Sequence, residues 1–298
     1  MVDLRGLVSS RELNKDNLEV LFSDAKSLKG KKTKKTLSQN LGSFELGTVA
    51  LLFEEPSTRT KTSFNEAVYT LGGRTVYFDF KSSSLSKGET FEETIFNLNS
   101  LEINGIVMRT SQEGLPSRLK KLNLNMWIIN AGDGKGEHPT QALGDTFCLM
   151  NSIGLNKKRI TIIGDVEHSR VAHSLINLWP RLGVELSLLP TSKFKTRLNT
   201  FESLEEAQDN SDVLYALRPQ KERWDEEGAN VIDSYSRLTV KSLNENQYLM
   251  APGPTMPDVD ISLGLIHHER SLVFQQVNWG IYGRMAIMRH LSNGGKFE

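Results

Sequence analysis

Cysteine is almost missing from this chain: Cys148 is the only one in 298 residues. One thiol excludes an intrachain disulfide framework and any Cys-x-x-Cys metal site. It lies in the mostly apolar stretch 142–150, where a small buried hydrophobe is expected rather than a nucleophile. Net charge is missing as well, since 36 Lys and Arg balance 36 Asp and Glu. No overall field then draws the molecule to nucleic acid or to an anionic membrane, and any anion must be caught by a local cluster of cationic groups. No run approaches the ~20 apolar residues a membrane span needs, and Met1-Val-Asp-Leu-Arg5 lacks the apolar core of a signal peptide. A cytoplasmic protein is expected. There is no internal repeat and no low-complexity tract, and the short basic run 29–35 reads as a solvated helix end. Neither a Gly-x-Gly-x-x-Gly turn nor a Walker lysine motif is present, so neither a dinucleotide nor a P-loop nucleotide is indicated.

What is present is ordinary in bulk and informative in order. Apolar residues make up 38% and charged residues 24%, as in globular proteins generally. The length suffices for one large domain or two modest ones, each with its own core. Residues 48–53 predict a strand, followed by a helix whose Phe64, Ala67, Val68 and Leu71 share one face. Gly72-Gly73 ends that helix, and 75–80, 106–108 and 127–129 predict further strands. A second series follows: strand 159–163, helix 171–182, strand 184–189, helix 204–208, and strands 213–217 and 248–250, with a closing helix over 276–291. Strands alternating with helices imply parallel sheets covered on both faces. The expected architecture is α/β, with two doubly wound parallel-sheet domains and the active-site cleft between them. The loop at 130–139 (Asn-Ala-Gly-Asp-Gly-Lys-Gly-Glu-His-Pro) separates the series. In such sheets ligands sit at the carboxyl ends of the strands.

The strongest local signal is Phe53-Glu-Glu-Pro-Ser-Thr-Arg-Thr60, between a strand and a helix. Ser57, Thr58 and Thr60 bring hydroxyls and first-turn N–H groups, where the helix dipole favours an anion. Arg59 adds a planar fork suited to phosphate oxygens. Taken alone, the segment fits both an anion site and a plain Ser/Thr cap. With no nucleotide motif beside it, the phosphate would belong to a small molecule.

Pro56-Ser-Thr-Arg-Thr60 with Thr62-Ser-Phe64 resembles the phosphate signature of the aspartate/ornithine carbamoyltransferase family. Four more segments resemble family motifs in the same order: Val107-Met-Arg109, Asn130-Ala-Gly-Asp-Gly134 with His138-Pro-Thr-Gln141, Gly164-Asp165 with Ser169-Arg170 and His173, and Leu217-Arg-Pro-Gln-Lys-Glu-Arg223. The matches run from about residue 45 to about residue 290, and several ordered matches arise by chance far less readily than one. The resemblance implies transfer of a carbamoyl group from carbamoyl phosphate to an amino-acid amine, with no cofactor and no metal. It implies domains over 1–137 plus 281–298, binding carbamoyl phosphate, and over 138–280, binding L-aspartate. By the same resemblance Ser57, Thr58, Arg59 and Thr60 hold the phosphate, while Arg109, His138 and Thr60 serve the carbamoyl oxygen. Gln141 orients the carbamoyl amide, and the backbone carbonyls of Pro252 and Gly253 accept from it. Arg170 reads the α-carboxylate of aspartate, and Arg218 with Gln220 its side-chain carboxylate. Ser84 and Lys87, in Ser-x-x-Lys-Gly-Glu89, reach into a neighbouring subunit's site, which implies a homotrimer with shared active sites. Glu55 pairs with Arg170 and Arg223 as the domains close over carbamoyl phosphate, bound first, and aspartate, bound second. A regulatory chain or a pathway enzyme as a further partner stays open.

The chain departs from the family pattern in two places. Ala251-Pro-Gly-Pro254 stands where the family has His-Pro, a loss the carbonyls of Pro252 and Gly253 tolerate because their role needs no side chain. Thr255-Met-Pro-Asp258 replaces an Asn-Arg pair, and Pro257 has no N–H to donate. The nearest rival is an ornithine carbamoyltransferase, whose His-Cys-Leu-Pro and Asp-x-x-x-Ser-Met-Gly segments are missing and whose cationic substrate Arg218 would repel. Another rival is an inactive scaffold of this fold, which should have lost phosphate ligands, and none is missing here.

Overall fold

The computed structural model describes residues 5–30, 46–78, 88–122, 124–192, 194–220, 237–256 and 259–297. The chain forms two compact units, Met1–Gly144 with Trp279–Glu298, and Asp145–Asn278. Both boundaries fall inside helices rather than in the segment 130–139. The α/β architecture with two parallel sheets is present, five strands in each.

The first unit runs β1 (Gly6–Leu7), α1 (Lys15–Gly30), β2 (Thr48–Phe53), α2 (Thr58–Thr70), β3 (Arg74–Phe78), α3 (Phe91–Ser100), β4 (Gly105–Thr110), α4 (Leu115–Lys120), β5 (Trp127–Asp133) and the start of α5 (Pro139–Ser152). Its strand order is β1-β5-β4-β2-β3. β2 reads Thr-Val-Ala-Leu-Leu-Phe, and all but Phe53 are buried; a parallel strand covered on both faces needs such a continuous apolar run. On α2, Phe64, Ala67, Val68 and the capping Leu71 are fully buried, the one-sided face the spacing predicts. Gly105 opens β4 because the Trp127 ring lies 2.2 Å from where a Cβ would stand.

The largest difference from expectation is at β5, which does not stop at residue 129 but continues through Asp133, wholly buried. The polar, glycine-containing composition that suggests a loop is instead a satisfied buried network. Asn130 Nδ2 donates to Val8 O and to Asp133 Oδ1, each at 3.0 Å, and Asn130 Oδ1 accepts from Gly132 N at 2.7 Å. Buried amides are tolerated when every group finds a partner.

The second unit continues from α5 through β6 (Arg159–Gly164), α6 (Arg170–Leu178), β7 (Glu185–Pro190), β8 (Asn199–Thr200), α7 (Leu204–Asp209), β9 (Val213–Ala216), β10 (Tyr248–Met250), α8 (Leu263–Ile266) and the start of α9 (Val273–Ser292). Its order is β10-β9-β6-β7-β8. The helix expected over 171–182 is α6 followed by a 3-10 turn, Trp179–Leu182, because Pro180 has no N–H to continue the α ladder. Ile163, Leu214, Ala216, Leu249, Ala251 and Ile261 belong to one buried cluster of this unit.

In each parallel sheet the order of connection switches sides once. In the first, the order turns between β2 and β4; in the second, between β6 and β9. Those reversals leave a crevice at the carboxyl ends of the strands, the usual ligand position in open α/β sheets.

Candidate active site

In the first unit, three neighbouring strand ends present the expected phosphate-side residues. β2 leads into Ser57, Thr58, Arg59 and Thr60 at the start of α2, and β4 carries Arg109 beside Phe53 in register. β5 leads into His138 and Gln141 at the start of α5. Ser57 occupies the N-cap position, yet its side chain makes no capping hydrogen bond. By contrast Ser169, at the same position of α6, accepts from Ala172 N at 3.2 Å. The cap reading of Ser57 therefore lacks its defining bond. Thr60 is buried, while Thr58 and Arg59 are exposed.

Arg109 is largely buried, and its Nε lies 3.2 Å from Glu55 Oε2. This partner sits across the ends of β2 and β4; the pairing of Glu55 with Arg170 and Arg223 was expected only as the domains close. Arg223 lies outside the described residues. Glu54, the residue before Glu55, fastens the ends of β2 and β4 together. Its N–H donates to Arg109 O at 2.9 Å, and its Oε2 accepts from Thr110 Oγ1 at 2.6 Å and Ser111 N at 2.9 Å. Sequence reasoning passes over Glu54 because those partners lie more than fifty positions away.

His138 is 4% exposed, and the turn that carries it is bolted down on both sides. The Asp133 carboxylate accepts from Glu137 N at 2.7 Å and Gly114 N at 2.8 Å. Burial pushes the Asp133 carboxyl above the usual carboxylate range, against the pull of these bonds and of Asn130. The Glu137 carboxylate accepts from Ser9 Oγ at 2.6 Å and Ser10 N at 2.8 Å. Thr140 Oγ1 lies 3.3 Å from His138 Nδ1. Which of the two donates depends on the imidazole tautomer; a hydroxyl donating to Nδ1 would go with a ring proton on Nε2.

In the second unit, the carboxyl ends of β10, β9 and β6 present the expected acceptor-side residues. β6 leads to Arg170 at the start of α6, β9 to Arg218 and Gln220, and β10 to Pro252 and Gly253. Arg170 is 3% and Gln220 7% exposed, so Arg170 is not the surface ion-pair arginine that composition alone allows. Gln220 Nε2 donates to Arg218 O at 3.2 Å. Burial raises the Asp260 carboxyl, opposed by hydrogen bonds from Met256 and Ile261 N–H and by the Arg218 charge. The Ala251 strand end is anchored from below. Ala251 N donates to Gln276 Oε1 at 2.9 Å, Gln276 Nε2 to Asp145 Oδ1 at 2.9 Å, and Tyr215 Oη to Asp145 Oδ2 at 2.6 Å. Burial and the adjacent Asp145 push the Tyr215 phenol well above its usual range, which keeps it a donor. Cys148 is buried, as expected of a packing residue. Ser84, Lys87 and Pro257 lie outside the described residues. Among the described residues no His/Cys/Asp/Glu group forms a metal-binding cluster.

Fold and site define a parallel α/β protein in which each sheet sets hydroxyls, guanidinium groups or helix starts near its reversal point. The sequence profile of the "Aspartate/ornithine carbamoyltransferase, carbamoyl-P binding domain" matches residues 5–151, and that of the "Asp/Orn binding domain" matches 156–291. The chain belongs to the aspartate/ornithine carbamoyltransferase family. It is 35% identical over 297 residues to the aspartate carbamoyltransferase catalytic subunit of Campylobacter jejuni subsp. doylei, covering 97% of this chain and 98% of the relative. Among solved structures it resembles aspartate transcarbamoylase from Trypanosoma cruzi in complex with carbamoyl phosphate and aspartate, with a TM-score of 0.83, 27% identity and 95% of each chain covered. It also resembles the catalytic subunit of M. Jannaschii aspartate transcarbamoylase, with a TM-score of 0.79, 30% identity, and 96% of this chain and 97% of that one covered.

Proposed function

We propose that the protein is an aspartate carbamoyltransferase, converting carbamoyl phosphate and L-aspartate into N-carbamoyl-L-aspartate and phosphate, a step of de novo pyrimidine synthesis. What supports this is, in the first unit, the Ser57–Thr60 helix start without a side-chain cap beside Arg109 and, in the second unit taken by itself, Arg170 and the Arg218-Pro-Gln220 segment at its strand ends. The aspartate amine attacks the carbamoyl carbon, a tetrahedral adduct forms, the bond from that carbon to the phosphate oxygen breaks, and the amine sheds a proton. Phosphate is already a competent leaving group, so the enzyme's contribution is placement and charge stabilisation. Ser57, Thr58, Arg59 and Thr60 hold the phosphate. Arg109, Thr60 and His138 donate to the carbonyl oxygen, on which charge builds in the transition state. Gln141 and the carbonyls of Pro252 and Gly253 orient the carbamoyl NH₂, while Arg170, Arg218 and Gln220 take the two carboxylates. Two guanidinium groups suit a dicarboxylic acceptor and oppose the cationic side chain of ornithine.

The working unit in this reading is a cytoplasmic homotrimer, with Ser84 and Lys87 supplied by a neighbouring subunit. The edge strand β3 supports it. Tyr77 and Val76 on β3 and Tyr69 on α2 are 48%, 38% and 67% exposed, and an apolar sheet edge is normally covered. The segment bearing Ser84 and Lys87 follows β3 directly in sequence.

The binding of N-(phosphonacetyl)-L-aspartic acid, found in complex with the related Trypanosoma cruzi enzyme, tests the reading. It joins a phosphonate to aspartate in one molecule. By calorimetry it should bind far more tightly than phosphate or aspartate alone, and binding no tighter than either part would refute the proposal.

A further inference from the structure

One buried carboxylate joins the two segments of the second unit that carry Arg170 and Arg218. Asp165 stands just beyond β6, at the reversal point between β6 and β9, and is 1% exposed. Its Oδ2 accepts the Gln220 N–H at 2.9 Å, so it fixes the backbone of the Arg218-Pro-Gln220 segment. Its Oδ1 lies 2.8 Å from His168 Nδ1 and 3.3 Å from His168 N. A carboxylate only accepts, so the ring nitrogen facing it donates. His168 is itself buried, 6% exposed, and stands two residues before Arg170. The N-cap Ser169 lies between them, bonded to Ala172 N at 3.2 Å. A rotation of the Asp165 carboxylate would therefore be felt at both carboxylate-reading segments.

We infer that His168 is a positioning residue for the acceptor amino acid: through Nδ1 it locks the Asp165 carboxylate, whose other oxygen holds Gln220, and so sets Arg170 and Arg218 in register for the two carboxylates of aspartate. The inference rests on the aspartate carbamoyltransferase reading and adds to it a residue that touches no substrate. The bond lies within the second unit, so the role predicts separate effects on the two substrates.

The test uses the full chain and the variants His168→Phe, His168→Gln and His168→Asn. The asparagine amide nitrogen falls where Nδ1 stands, while the longer glutamine carries its amide to the other side of the ring position. Aspartate KM is measured at saturating carbamoyl phosphate, and carbamoyl phosphate binding by equilibrium dialysis. His168→Phe and His168→Gln should raise the aspartate KM about tenfold or more, the scale of a lost hydrogen bond to a charged group. Carbamoyl phosphate affinity should stay unchanged, and His168→Asn should remain near the unmodified chain. An unchanged aspartate KM in His168→Gln overturns the inference, as does a His168→Asn variant impaired equally with it or a parallel loss of carbamoyl phosphate binding. If His168→Phe does not fold, the Gln and Asn pair decides. An unmodified chain that makes no carbamoylaspartate would overturn the functional reading itself, and that result is visible before any variant is compared.

Discussion

At the end of β4, Arg109 is largely buried, next to Glu55 and one strand away from the uncapped start of α2. A guanidinium in such a place is held before substrate arrives, and a preorganised donor is worth most where charge develops during reaction. Replacing Arg109 by Ala should cost about 3–4 kcal/mol of transition-state stabilisation, roughly two to three orders of magnitude in kcat. Steady-state kinetics would check it, and near-normal turnover would remove Arg109 from its assigned role. The placement of such residues was legible in the sequence because its signals are local: Ser57 to Thr60 share one strand–helix turn, and His138 stands directly before a helix. Glu54, Asp165 and His168 were not legible as participants. Their importance lies in partners brought close by sheet pairing or buried together, such as Thr110 to Glu54 and Gln220 to Asp165, and no spacing rule along the chain encodes that.

Among the elements, two anchors decide how firmly the strand ends are held. Glu54 binds Thr110 and Ser111 across the ends of β2 and β4. Glu54→Ala should lower stability by roughly 1–2 kcal/mol, leaving the Ser111 N–H and the Thr110 hydroxyl to find other acceptors. It should also weaken carbamoyl phosphate binding while sparing the aspartate KM; a denaturation curve and a binding isotherm on the same variant would show both, and an unchanged isotherm would contradict the role. Tyr215, Asp145 and Gln276 form the buried chain beneath Ala251. Tyr215→Phe removes one buried bond to the Asp145 carboxylate, so about 1–3 kcal/mol should be lost, measurable as a shifted urea midpoint at constant slope. A midpoint equal to that of the unmodified chain would show that another donor replaces the phenol. β5 shows why elements are misread: polarity in 130–133 suggested a loop, whereas Asn130 and Asp133 are buried and bonded within the strand and its turn. Apolar runs such as β2 are read correctly, because burial on both faces leaves no polar alternative.

At the scale of the whole molecule, the alternation of strand and helix foretold two parallel sheets, and the order of the strands then followed from pairing that sequence alone does not display. Assembly is the further claim at this scale. If Lys87 serves a neighbouring subunit's site, a Lys87→Ala chain and a His138→Ala chain spoil different sites. Each should be nearly inactive alone, yet mixing them under conditions of subunit exchange should restore part of the activity. With Lys87 acting in its own subunit, every site keeps one lesion and nothing returns. The central claim is the reaction itself, and the most direct measurement supplies carbamoyl phosphate with either L-aspartate or L-ornithine and follows phosphate together with the carbamoylated product. Equal amounts of phosphate and N-carbamoyl-L-aspartate should form with aspartate, with no citrulline from ornithine; efficient citrulline formation, or no product from aspartate, would contradict the account.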